Sequence, residues 1–203
     1  MPVPILRCDQ TYTAAGGPFS FTASPGECLT IMGPSGVGKS LLLRALADLD
    51  PHRGEVFLGD VRQSTCPPHD WRRQVAYVPA AAGWWAESVA EHFAAFADLT
   101  ADLAALGLPA DCGAWPVSRL SSGERQRLSL LRAVALHSPV LLLDEPTANL
   151  DAASSLAVEN WLLARKAAGV TLIWVTHDPA QAQRVADRLF VLGHDGVHEA
   201  RDA

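Results

Sequence analysis

Apolar residues recur along this chain in three patterns, and each predicts a different kind of element. Four short stretches, 28–32, 75–78, 140–143 and 170–176, are almost wholly apolar. Runs of this length without alternation suit strands buried on both faces, as in a parallel sheet covered by helices. A looser alternation runs through 5–22 and is cut by Gly16-Gly17-Pro18, which predicts two short strands about a tight turn. A further hairpin is expected over 55–61 around Gly59-Asp60. Helical spacing is the third pattern. Leu41, Leu42, Leu43, Leu46 and Leu49 follow Ser40 and stop near Pro51 and Gly54, Leu128, Leu131 and Val134 form a stripe within 121–135, and 156–168 ends at Gly169.

Helix starts are marked too. Ser121 with Glu124 has the spacing of a capping box, and Asp178-Pro179 has an N-cap followed by the residue favoured at the first helical position. Residues 70–73 read as a helical turn before the strand at 75–78. The segment 80–116 differs in composition: alanines, Trp84, Trp85 and Trp115, with Gly107, Pro109 and Gly113 as turn residues. It reads as a mostly helical insertion, so the expectation is one domain over 1–203 with a helical subdomain at about 81–135.

A chain of 203 residues fits one domain, since a domain takes about 100–200 residues. A formal net charge of −6 argues against nucleic acid as the main partner, because binding a phosphate backbone demands a basic face. Cys8, Cys28, Cys66 and Cys112 are scattered, with no C-x-x-C pair and no secretory leader, and read as reduced thiols of a cytosolic protein. The apolar runs are far shorter than the roughly 20 residues of a membrane span. The chain is therefore not expected to cross a membrane itself.

The candidate chemistry begins at 33–40, GPSGVGKS, which matches the phosphate-loop pattern G-x-x-x-x-G-K-[ST] between an apolar strand and a helix. Gly33, Pro34, Ser35, Gly36, Val37 and Gly38 would wrap their backbone round an anion, and the following helix adds the positive end of its dipole. Lys39 would reach the β- and γ-phosphates. Ser40 supplies a hydroxyl oxygen for Mg²⁺, and Leu41 follows it. Asp144, after four apolar residues, supplies a second Mg²⁺-directed oxygen, while Glu145 points to where a water would attack the γ-phosphate. His177, at the end of the neighbouring strand, is placed to hydrogen-bond that phosphate. Tyr12 has two readings: an aromatic platform for a nucleotide base, or a half-buried strand tyrosine. His194, Asp195, His198 and Glu199 have metal-like spacing, but Gly193 and Gly196 suggest a terminal hairpin there. Arg72-Arg73, Arg125 and Arg127 read as solvated helix faces.

Leu120-Ser121-Ser122-Gly123-Glu124 resembles the LSGGQ signature of the ATP-binding cassette family, Thr147-Ala148-Asn149-Leu150-Asp151 resembles its D-loop, and His177 its switch histidine. The order of these motifs along the chain is also the family's. The resemblance implies an α/β phosphate-loop NTPase core with a mainly parallel sheet, an antiparallel β subdomain and a small helical subdomain. It implies ATP and Mg²⁺ as ligands and hydrolysis within a head-to-tail homodimer. Ser121 and Gly123 of one chain would then meet the γ-phosphate on the other, with Asp151 coupling the two sites. A separate membrane-spanning permease is the implied partner, docked near Trp84 and Trp85, which places the chain on the cytoplasmic face of the membrane. The alternative for that pair is packing within the subdomain. Ser122 and Glu124 depart from the signature, and Ala80 stands after Tyr77-Val78-Pro79 where the family carries its Q-loop glutamine. The segments 128–132 and 173–178 resemble the short cassettes of bacterial iron-export systems. Cargo and direction of transport stay open, and a soluble cassette working on nucleic acid or ribosomes is the alternative function. A small-molecule kinase would explain the phosphate loop but not the signature or His177.

Overall fold

The computed structural model describes residues 4–193 and 196–200. Strands β1 (Leu6–Thr13), β2 (Gly16–Ala23), β4 (Arg53–Leu58) and β5 (Val61–Arg62) form an antiparallel sheet in the order β2-β1-β4-β5. The second sheet runs β10-β9-β3-β8-β7-β6, built from β3 (Cys28–Met32), β6 (Val75–Val78), β7 (Val140–Asp144), β8 (Thr171–Val175), β9 (Arg188–Gly193) and β10 (Gly196–Glu199). All its pairings are parallel except that of the terminal hairpin β9–β10. The helices are α1 (Lys39–Leu46), α2 (Pro68–Gln74), α3 (Thr100–Ala105), α4 (Ser122–Val134), α5 (Ala152–Ala167) and α6 (Pro179–Val185).

The uniformly apolar runs are explained by two cores, one on each face of the parallel sheet. Leu142, Ile173, Leu29 and Ile31 face a core shared with α1, Trp71 and the antiparallel sheet. Leu141, Leu143, Leu172 and Trp174 point the other way, onto α4, α5 and the insertion. Successive strand residues alternate between faces, so a strand covered on both sides must be apolar at every position. β7 is buried along its whole length.

The insertion is poorer in α-helix than the sequence reading predicts. Only α3, of six residues, is α-helical before α4. The rest is single 3₁₀ turns at Ala90–His92, Phe96–Leu99, Ala110–Ala114 and Val117–Arg119 joined by extended chain. Gly83, Gly107, Pro109 and Pro116 interrupt every candidate helix, and Leu103, Leu106, Leu108 and Cys112 anchor the path by burial instead of periodicity. Cys8, Cys28 and Cys112 are buried, Cys66 is half-buried, and all four are free; burial pushes the Cys8 and Cys28 thiols up to about 12. Among the described residues no helix is long and apolar enough to cross a membrane.

Candidate functional site

Strands β3, β8 and β7 finish level with one another: Ile31 pairs with Val175, and Val175 with Asp144. The residues that follow each strand therefore emerge at one edge of the sheet, which brings together the phosphate loop, His177 and the Asp144-Glu145 pair. Convergence of this kind beyond the carboxyl ends of parallel strands is where α/β sheets bind ligands.

The phosphate loop has glycine conformations at its two tightest points. Gly33 has φ +156°, and a Cβ there would lie 2.5 Å from the Leu192 carbonyl oxygen. Gly38 has φ +104°, and a Cβ there would lie 2.2 Å from that of Ala15, so the β1–β2 turn is pressed against the loop. Larger residues at either position are excluded by backbone angle and by space. Gly38 is the N-cap of α1 and supplies no side chain to its first N–H groups, which suits an anion in that place. Lys39 is folded over the loop, its Nζ donating to the carbonyls of Gly33 at 2.7 Å and Pro34 at 2.9 Å.

Asp144 is buried, and Oδ2 accepts the Tyr77 hydroxyl at 2.9 Å. Ser40 is exposed on the first turn of α1. The donor set is oxygen only, and among the described residues no group of three or more His, Cys, Asp or Glu could hold a metal. These residues fit a hard cation that takes one or two protein oxygens and completes its shell with phosphate and water. They do not fit a metal caged by protein alone.

Glu145 adopts φ +49°, a left-handed conformation rare for its type, and its N–H donates to the Val175 carbonyl at 3.0 Å. Its Oε2 lies 2.9 Å from Nδ1 of His177. A carboxylate can only accept, which assigns the proton of that contact to Nδ1. The Glu145 side chain is 20% exposed and that of His177 73% exposed.

Ser121 caps α4 as expected: Oγ accepts from the Glu124 N–H at 3.2 Å, and the Glu124 carboxylate accepts from both the N–H and the hydroxyl of Ser121 at 2.8 Å. Those bonds hold Glu124 below its ordinary carboxylate value, the backbone N–H contributing most. The acidic residue that departs from the signature is thus folded back onto its own cap. Asp151 likewise caps α5 through the N–H of Ser154 at 2.8 Å, which holds its carboxyl below the usual range. Gly123 packs against the D-loop, where an added Cβ would meet Leu150 at 3.2 Å and Asn149 O at 3.6 Å. The hydrogen bonds of Ser121 and Asp151 are with their own helix starts and not with the phosphate loop. Tyr12 lies on β1 with 43% of its surface exposed, two residues before the turn that packs on Gly38.

Other positions differ from the sequence reading. Arg125 and Arg127 are half-buried and bonded, not a free solvated face: Arg127 donates to the carbonyls of Leu106 at 2.8 Å and Gly123 at 3.2 Å, and Arg125 to Val117 at 3.1 Å, tying the insertion to the signature helix. His194 and Asp195 lie outside the described residues. Glu199 is held by Arg188 at 2.7 and 3.1 Å. Trp84 and Trp85 sit over one histidine, His92, at ring distances of 4.8 and 4.7 Å, with the Arg132 guanidinium 5.0 and 4.6 Å from the two rings. Sequence reasoning missed Tyr77, His92 and Arg132. Tyr77 carried no signal in the sequence, because it reaches Asp144 only through the pairing of β6 with β7 in register.

The fold and site define a phosphate-loop α/β ATPase with a signature helix on an inserted segment. The family model described as ABC transporter matches residues 17–148. The chain is 37% identical to the cobalt import ATP-binding protein CbiO of Rhodobacter capsulatus, over 92% of this chain and 74% of that protein. It is 32% identical to the putative 2-aminoethylphosphonate import ATP-binding protein PhnT of Salmonella typhimurium, over 86% of this chain but 51% of that one, so it spans about half of this longer relative. Among solved structures, a dimeric ATP-binding cassette in a post-hydrolysis state with ADP and phosphate superposes with a TM-score of 0.83 at 22% identity, over 98% of this chain and 100% of that one. At that identity the likeness is one of fold. The chain belongs to the ABC transporter family, and it is an ATP-binding, ATP-hydrolysing subunit of that family. The relatives are transport subunits, which tells against the soluble, nucleic-acid or ribosome-related alternative.

Proposed function

We propose that ATP is bound and hydrolysed here by a definite division of labour. Lys39 and the N–H groups of 33–41 hold the phosphates, Ser40 and Asp144 hold Mg²⁺, Glu145 takes the proton of the attacking water, and His177 orients Glu145 and the γ-phosphate. The observation that carries this reading is the 2.9 Å contact between Glu145 Oε2 and His177 Nδ1 at the sheet edge next to the phosphate loop. When bound, Mg²⁺ neutralises charge developing on the phosphate oxygens. A general base in this position contributes roughly 10²–10⁴-fold in rate. Tyr12, exposed on β1 two residues before the turn that packs on Gly38, serves as the platform for the base.

The signature helix start is exposed and its cap is already satisfied within the chain, so we assign Ser121 and Gly123 to a γ-phosphate bound by a second copy. Asp151, at the start of α5, lies on the same surface as Gly123 through Leu150. The working unit is then a head-to-tail homodimer with ATP between the copies.

We assign the transport partner to a membrane-spanning protein that meets this chain at its cytoplasmic face. A groove of about 210 Å³, lined by Ala47, Leu49, Pro79, Arg132, Ala133 and Leu136, adjoins Trp84 and Trp85 through Arg132. Leu49, Leu136 and Trp85 expose apolar surface there. An apolar cleft with an aromatic anchor suits an amphipathic helix. Both relatives are named as import proteins, and import is the direction we assign; their cargoes differ, and cargo is not carried over.

The test separates binding from chemistry. Lys39→Ala loses ATP binding, whereas Glu145→Gln binds ATP, stops hydrolysing it and accumulates as a dimer in size-exclusion chromatography. Hydrolysis at the parent rate by Glu145→Gln would overturn the assignment of the base.

A further inference from the structure

Behind the Glu145–His177 pair lies a buried polar network centred on Gln181 and Glu159, two residues that none of the motifs includes. Gln181 is 3% exposed on α6, four residues after His177, and every polar atom of its amide is used. Nε2 donates to Thr147 Oγ1 at 2.7 Å and to Glu159 Oε1 at 2.8 Å, and Oε1 accepts from the Trp174 indole at 3.2 Å. The orientation of the amide is determined by its neighbours. An indole N–H can only donate and a carboxylate can only accept, so the oxygen must face Trp174 and the nitrogen Glu159. Glu159, 1% exposed on α5, is held in turn by two bonds of 2.8 Å from Arg184.

Thr147 stands two residues after Glu145, in a turn closed by the Ala148 N–H on the Glu145 carbonyl at 3.2 Å and the Leu150 N–H on the Thr147 carbonyl at 3.1 Å. Glu145 itself has φ +49°, a conformation that persists only where its surroundings impose it. On the N-terminal side that constraint is its bond to Val175. On the C-terminal side it is Thr147, fastened to Gln181. The same Gln181 belongs to the helix that starts at Asp178, directly after His177. One amide therefore ties together the loop that carries Glu145 and the helix that follows His177.

We propose that Gln181 is a positioning residue for hydrolysis, setting the separation of the Glu145 carboxylate and the His177 imidazole through its bond to Thr147. The inference rests on the reading that Glu145 and His177 act in hydrolysis. A misplacement of the order of 1 Å costs about a hundredfold in rate, so loosening this tie lowers turnover without touching the phosphate loop.

The experiment uses the whole chain and measures kcat, KM for ATP, equilibrium binding of a fluorescent ATP analogue, and thermal midpoint. Thr147→Val and Gln181→Met are made singly and together, with Arg184→Met as the control that loosens Glu159 and keeps both partners of the Gln181–Thr147 bond. The expected result is a kcat lowered tenfold or more in Thr147→Val and Gln181→Met, with KM and binding at parent values. The double variant falls no further than the worse single, because the Gln181–Thr147 bond is already lost in each. Arg184→Met lowers the thermal midpoint and leaves kcat unchanged. The inference is overturned if Thr147→Val turns over at the parent rate, or if kcat of every variant, Arg184→Met included, simply follows its thermal midpoint. Glu145→Gln is run alongside: if it is inactive while Thr147→Val is normal, only the role of Gln181 fails, whereas an active Glu145→Gln removes the reading of the site on which that role depends.

Discussion

Tyr77 and Asp144 are joined across neighbouring parallel strands by a hydrogen bond of 2.9 Å from the phenol to Oδ2. Tyr77 pairs in register with Leu142, so Asp144 is the residue two further along on the same face. Burial, and then the Asp144 carboxylate, push the Tyr77 hydroxyl above the ordinary phenol value, which keeps it a donor throughout the working range. One carboxylate oxygen is thereby occupied and the orientation of the other is set, as for outer partners of metal ligands generally. Tyr77→Phe keeps the ring and loses the donor. The expected result is a cassette within about 1.5 kcal/mol of parent stability whose Mg²⁺ requirement for turnover rises about tenfold or more. Titrating Mg²⁺ at fixed ATP checks it, and an unchanged half-saturation would show that Asp144 needs no such support.

The tyrosine also shows where sequence reading stops. The buried strands were legible because β7 and β8 are covered on both faces, which forces an unbroken apolar run that any reader can find. The phosphate loop was legible because its chemistry lies in consecutive backbone groups. Tyr77 with Asp144, 67 residues apart, and Gln181 with Thr147, 34 apart, were not, because the polar partner of a strand or helix residue is decided by sheet order and helix packing. The insertion was misread for a related reason. Alanine favours helix, but Phe96 packs directly on Gly113, where an added Cβ would come within 2.6 Å of the ring, and such contacts set the path of the chain over propensity.

Ala80 follows Pro79 at the end of β6, half-buried, where the resemblance expects a glutamine. A methyl group offers nothing to Mg²⁺ or to an attacking water. Ala80→Gln restores an amide at that point, and the expected outcome is a higher rate of ATP turnover by the chain alone, at unchanged ATP binding. An equal or lower rate would remove the sensing role from this position.

The acid stability of the protein follows in part from Glu159. Its hydrogen bonds from Arg184, acting against the cost of burial, hold its carboxyl below the ordinary range. A group depressed in the folded state adds stability that is present above its unfolded value, about 4.3, and is lost as pH falls through the lower folded value. Glu159→Gln removes that contribution. Thermal midpoints measured from pH 7 down to pH 3 should differ most between parent and variant near neutrality and converge in acid. A constant difference across that range would show that Glu159 matters by packing alone.

The two adjacent indoles divide their roles by exposure. Trp84 is half-buried against the core of the insertion, and its Nε1 is buried without a hydrogen-bond partner, whereas Trp85 is 71% exposed. His92 fixes the backbone between them, its Nε2 accepting the N–H groups of Trp85 at 3.0 Å and Ala86 at 3.1 Å while Nδ1 donates to the Ser88 carbonyl at 3.0 Å. Arg132, bonded to the Gly83 carbonyl at 3.2 Å, lies against both rings and holds Trp85 at the surface in one place. A large aromatic side chain held still and exposed is the kind of residue that anchors an interface, where truncation costs about 2 kcal/mol, or about thirtyfold in affinity. Trp85→Ala should therefore melt close to the parent temperature, bind ATP normally and lose its membrane-spanning partner on co-purification. Trp84→Ala removes packing and should be destabilised by about 3 kcal/mol, the lower end for a truncated core aromatic, because Trp84 is only half-buried. If Trp85→Ala retains the partner at parent yield, the docking surface lies elsewhere on the chain, and the exposed indole is no anchor.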